Sequence, residues 1–138
     1  MAGYSKTPTW KKLGIKEGMR VIQLHAPEDY PRLLGKLPQG AVLEDKLREN
    51  ASLIHYFTKN KSTLSEDFPK LKKALLPDGA LWISWPKGAS KVPTDLNENV
   101  VREIGLRNGL VDVKVAAIDE IWSGLKFVFR LKDRKRSG

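Results

Sequence analysis

Two apolar runs separated by one amphipathic stretch constrain this chain most. Ala51–Thr58 (ASLIHYFT) and Ala80–Trp85 (ALWISW) are almost continuously apolar, as strands covered on both faces are. Between them, Leu64, Phe68, Leu71, Ala74 and Leu75 recur at helical spacing within Ser62–Leu76, and Lys70, Lys72 and Lys73 take the outer side. Two buried strands joined by a helix make a parallel β-α-β unit, and a parallel sheet needs cover on both faces.

The remaining segments extend that unit. Arg20–His25 is a first strand bounded by Gly18 and Pro27. A short helix over Glu28–Leu34 follows, with Pro27 in its first turn and Glu28 and Asp29 at the positive end of its dipole. Leu37–Gly40 turns the chain into a second strand, Ala41–Glu44. After the Pro86–Pro93 loop, Thr94 or Asp95 caps a helix that runs to Arg107, and Asn108-Gly109 ends it with a left-handed cap. Asp112–Ile118, a turn at Ser123-Gly124 and Leu125–Leu131 read as a hairpin. The expected fold is α/β: a three-layer, Rossmann-like, mostly parallel sheet of about six strands with a C-terminal antiparallel hairpin. Residues 1–19 form a lead-in that docks through Trp10, Leu13 and Ile15. The length of 138 residues suits one domain, 1–131, followed by a basic disordered tail, 132–138.

The sequence contains no cysteine, so disulfides, thiolate catalysis and cysteine-based metal sites are excluded. No apolar run approaches the roughly 20 residues of a membrane span, and the N-terminus has no signal-peptide core, which points to a cytoplasmic protein without a membrane partner. The formal net charge of +9 attracts polyanions. Lys132, Arg134, Lys135 and Arg136 crowd the tail, whereas the other cations are spread thinly. Nucleic-acid binding is therefore expected to be weak, non-specific and carried by the tail.

From about Leu53 to Lys132 the order of elements, with Leu76-Pro77-Asp78-Gly79 leading into Leu81-Trp82-Ile83, resembles the C-terminal half of class I methyltransferases. The resemblance implies right-handed crossovers and Rossmann-like strand order. The first half departs from it. A methyltransferase needs a glycine-rich loop after strand one, and this chain has Leu24-His25-Ala26-Pro27-Glu28-Asp29 there. The second strand also leads almost directly to the third, so the scaffold reads as a reduced one. The whole chain more closely resembles a bacterial family of small proteins of unknown function. The matching stretches are Gly3–Pro8, Lys12–Ile15, His55–Thr58, Trp82–Lys87 and Trp122–Lys126. That likeness implies a methyltransferase-like fold and brings no activity with it.

Ligands of parallel α/β sheets sit beyond the carboxyl ends of the strands. That rule collects His25, Thr58, Lys59, Trp85, Pro86, Lys87, Asp119, Glu120, Trp122 and Ser123. The possible pocket is built from His25, Lys59, Trp85, Lys87, Asp119 and Trp122. Histidine as a residue type can act near neutral pH, so His25 is either a base or ligand, or a strand-end hydrogen-bonding group. Trp85 is either a pocket wall beside Lys87 or packed under the following loop. Asp119-Glu120 is either an acid/base pair or a solvated hairpin end. His55, inside a buried strand, reads as a satisfied core histidine. No His-x-x-x-His spacing exists, so no metal is expected, and no nucleophile elbow is present. The leading expectation is a non-catalytic binding or regulatory protein without a cofactor, recognising a protein partner or a small anionic ligand. The alternatives are a small-molecule enzyme at the strand ends and a weak nucleic-acid-associated protein.

Overall fold

A computed structural model describes residues 7–134. Its elements run α1 (Thr9–Leu13), β1 (Arg20–Leu24), α2 (Tyr30–Leu34), β2 (Val42–Glu44), β3 (Ala51–Phe57), α3 (Lys61–Ala74), β4 (Leu75–Pro86), α4 (Glu98–Arg107), β5 (Leu110–Ala117) and β6 (Trp122–Phe129). The six strands form one sheet in the order β2-β1-β3-β4-β6-β5. β2, β1, β3 and β4 pair in parallel. β6 is antiparallel to both β4 and β5, so β5 points the same way as β4. This is the expected Rossmann-like α/β sheet with its closing hairpin.

Alternation along each strand divides the interior into two layers. Ile22, Ile54, Tyr56, Leu81, Ile83, Trp85, Leu125 and Phe127 face α3 and α4, meeting Leu64, Phe68, Leu71, Val101 and Ile104. Val21, Leu53, Phe57 and Trp82 face α1 and α2, meeting Leu13, Ile15, Tyr30 and Leu34. The lead-in is pinned here, because the Trp82 indole Nε1–H donates to the Leu13 carbonyl at 3.1 Å. Trp82 and Trp85 lie on opposite faces, as a separation of three on a strand requires.

Several local expectations are corrected. The Leu76–Gly79 turn lies inside β4: pairing jumps from Ala51↔Leu75 to Leu53↔Ala80, and the extra residues form a bulge. Gly79 permits this, since a Cβ there would stand 2.8 Å from the Ala51 carbonyl oxygen. Ser123-Gly124 is not the hairpin turn but part of β6, and the chain reverses at residues 118–121. The Asp119 carboxylate makes that turn by accepting from the Ile121 and Trp122 amides at 2.8 and 2.7 Å. Asn97, not Thr94 or Asp95, caps α4, its side chain accepting from the Val100 amide at 2.9 Å. Asp95 instead accepts from the Lys61 amide at the start of α3, at 2.7 Å. Proline stands in the first turn of α2, but it is Pro31, not Pro27. At the start of the expected tail, 132–138, Leu131–Asp133 forms a single 3-10 turn, and residues 135–138 lie outside the described residues, as do 1–6.

Candidate functional site

The carboxyl ends of β1, β3 and β4 and the start of β6 share one edge, because these strands are successive neighbours in the sheet. The fold thus brings His25, Lys59, Lys87 and the Asp119–Trp122 turn to the same side. The Lys87 amide donates to the Ile121 carbonyl at 2.8 Å, tying the end of β4 to that turn.

His25 ends β1 with φ +59°, a left-handed conformation that costs most side chains of order 1 kcal/mol. The conformation turns the chain at once, and Ala26-Pro27 follows. The exposed imidazole lies against the ring of Tyr56, with centroids 5.4 Å apart and planes at 60°. Tyr56 is buried, and its hydroxyl donates to the Asp67 carboxylate at 2.6 Å. Burial first, then the hydrogen bond and charge of Asp67, raise the phenol far above its ordinary range, so it stays protonated.

The other expected residues are engaged in structure. Trp85 is 4% exposed and packs in the same layer as Leu96, so it is no pocket wall. The loop after β4 holds it covered: the Thr94 hydroxyl donates to the Lys59 carbonyl at 2.6 Å and accepts from the Leu96 amide at 3.0 Å. Trp122 is buried edge-on against Phe57, with centroids 5.1 Å apart. Asp119 makes the hairpin turn, so it is not half of an acid/base pair with Glu120. Both nevertheless border an open hollow of about 490 Å³ between α1, α2 and the turn, together with Asp29 and Lys12. Three carboxylates against one ammonium make that hollow unsuited to an anion. The Lys59 side chain is exposed and that of Lys87 half-buried.

Beneath the edge lies a polar trio that linear spacing does not reveal. His55 Nδ1 is 2.8 Å from Tyr30 Oη, and His55 Nε2 is 2.7 Å from Ser84 Oγ. A neutral imidazole donates from one nitrogen and accepts at the other, so both neighbours are served. Burial holds the His55 pKa down at about 3. Serine and histidine are in hydrogen-bond contact here as in a nucleophile–base pair, but His55 and Ser84 are both 0% exposed, and a substrate cannot reach them. His55 is the satisfied core histidine that its place in β3 suggests. Among the described residues, no group of three or more side chains is placed to hold a metal ion. None of the helices among them is long and apolar enough to cross a membrane.

No family model matches the chain, and no curated protein matches it. Solved structures do match its fold. A TehB-like SAM-dependent methyltransferase from Corynebacterium glutamicum aligns over 94% of this chain and 91% of its own, at 12% identity and TM-score 0.56. A ribosomal protein L11 methylase from Lactobacillus delbrueckii subsp. bulgaricus aligns over 88% and 75%, at 11% identity and TM-score 0.57. A SAM-dependent methyltransferase from Aquifex aeolicus aligns over 85% of each chain, at 17% identity and TM-score 0.53. The scaffold is methyltransferase-like, and at such identities the likeness concerns the fold alone.

Proposed function

We propose that this chain is a non-catalytic binding or regulatory protein of the cytoplasm, built on a methyltransferase-like scaffold that does not use S-adenosylmethionine. The turn after β1 carries the reading. A cofactor that lies against this turn needs backbone stripped of side chains, which glycine provides. Here His25 takes up the left-handed conformation itself and lays its imidazole toward Tyr56, so a side chain stands where an adenosyl group would approach. Pro27 then fixes its own φ and stiffens the entry to α2. The five-residue α2 and the helix-free connection from β2 to β3 leave little else to enclose a nucleoside. Away from the acidic Asp119–Glu120 turn, the edge offers His25, Lys59 and Lys87, which suit a small anionic ligand or an acidic segment of a protein partner.

Calorimetric titration of the purified protein with S-adenosylmethionine tests the reading. No binding tighter than about 100 μM, or roughly −5.5 kcal/mol, is expected. Binding tighter than that would return the chain to the cofactor-using methyltransferases and overturn the proposal.

A further inference from the structure

The cations that look scattered in the sequence are not scattered in the fold. Lys114 on β5 and Lys126 on β6 are direct partners across the antiparallel ladder, and their side chains leave the sheet on the same face. That face is the one on which α1 sits. From α1, the Lys12 ammonium donates to the Ala117 carbonyl at 3.3 Å, and the Lys114 ammonium donates to the Lys12 carbonyl at 3.4 Å. Lys16, in the connection from α1 to β1, is near enough to act on Lys126. Four lysines from four segments therefore meet between α1 and the hairpin.

Such an arrangement is unfavourable in isolation. Like charges directly opposite in a ladder repel. Partial burial first, and then the charges of Lys114 and Lys16, hold the Lys126 ammonium below its usual range. A bound polyanion removes that repulsion.

We infer that the four-lysine surface formed by Lys12, Lys16, Lys114 and Lys126 is a binding site for the phosphodiester backbone of duplex nucleic acid. The residue types suit phosphate. All four are lysines, compact point charges of the kind that commonly hold phosphate. Duplex nucleic acid carries a charge about every 1.7 Å along its axis, both strands counted, a density that matches a cluster of ammoniums. Trp10, the aromatic residue of α1, packs against the core rather than being offered for stacking, which favours a duplex over unstacked bases. The surface reads charge and carries no sequence preference. The surface shares no residue with His25, Lys59 and Lys87, so this inference and the reading of that edge are tested separately, although Lys12 also borders the acidic hollow beside the Asp119–Trp122 turn.

The test uses fluorescence anisotropy with a labelled mixed-sequence duplex of about 20 base pairs, at about 50 and 200 mM salt. Four contacted phosphates predict a slope of about −3 to −4 in log affinity against log salt. Lys114→Glu places a carboxylate opposite Lys126, so it should raise the melting temperature while weakening duplex binding roughly tenfold or more and shallowing the slope by about one to two. A chain ending at Leu131 should keep most of the affinity. Unchanged binding by Lys114→Glu would overturn the inference, as would loss of binding on removing residues 132–138. Competition by polyglutamate as effective as by duplex at equal charge, or preference for phosphatidylglycerol vesicles, would assign the surface to another partner and overturn it too.

Discussion

His55 and Ser84 stand side by side on adjacent parallel strands, joined through Nε2 and Oγ at 2.7 Å, with no exposed surface on either. With Tyr30 Oη on the other ring nitrogen, the imidazole is fixed as a neutral group inside an aromatic layer, stacked 4.2 Å from Phe57. A histidine held neutral in this way is a stability device with a definite pH dependence. In the unfolded chain it titrates near 6.5, and in the folded chain near 3. The unfolded state therefore takes up the proton first as pH falls. Its contribution to stability is complete above about pH 6.5 and lost progressively as pH falls toward 3. Between pH 6.5 and 5 the loss should be about 2 kcal/mol, at about 1.4 kcal/mol per unit. Urea denaturation at several pH values measures it, and His55→Phe should flatten the curve over that interval. An unchanged slope in the variant would assign the pH dependence to other groups.

Trp82 joins the lead-in to the sheet in two ways, by filling the layer under α1 and by holding the Leu13 carbonyl. Trp82→Ala should destabilise the protein by about 3–5 kcal/mol through the cavity it leaves. Trp82→Phe keeps much of the volume but leaves the Leu13 carbonyl without this donor, a buried group whose desolvation costs about 1–3 kcal/mol. Thermal melts of the two variants should rank them in that order. A shift of a couple of degrees or less for Trp82→Ala would place the indole outside the core.

Gly105 sits in the last turn of α4, within a helix where alanine ordinarily gains up to about 1 kcal/mol over glycine. Here a Cβ would run into Cε1 and Cζ of the Phe127 ring, in the centre of the layer between α4 and β6. Gly105→Ala should therefore lose stability, by about 1–3 kcal/mol, as overpacked cores do. A variant as stable as the parent would show that Phe127 can move aside.

The sequence made the architecture legible because its signals are local and periodic. The apolar runs of β3 and β4, the helical stripe of α3 and the left-handed Gly109 after α4 each declare themselves within a few residues. Sequence and structure part where glycine, asparagine and aspartate serve packing or distant caps instead of the nearest turn. Ser123-Gly124 looks like a turn, yet a Cβ at Gly124 would stand only 3.1 Å from Ile118 Cδ1 and 3.2 Å from Trp82 Cε3. Asp95 looks like a cap for the helix after it, but it caps α3, 34 residues back. The strand-end rule gathers His25, Lys59 and Lys87 onto one edge, but no spacing rule can tell that Trp85 and Trp122 are buried or that Asp119 is committed to a turn. The lysines show the same limit. Lys12 and Lys114 are 102 residues apart in sequence, and only the return of the hairpin beside α1 makes them neighbours.

The position of β6 between β4 and β5 has a consequence for how the chain matures. As the protein emerges from a ribosome, β1, β3 and β4 can pair while residues 122–129 are still unmade. Until residues 122–129 arrive, β4 offers an unpaired edge beside Trp82, Ile83 and Trp85, the kind of apolar edge that recruits other chains. The last of these six strands to be synthesised is thus an interior strand of the sheet. A nascent chain stalled before Trp122 should be prone to aggregate, whereas one released after Leu131 already has all six strands.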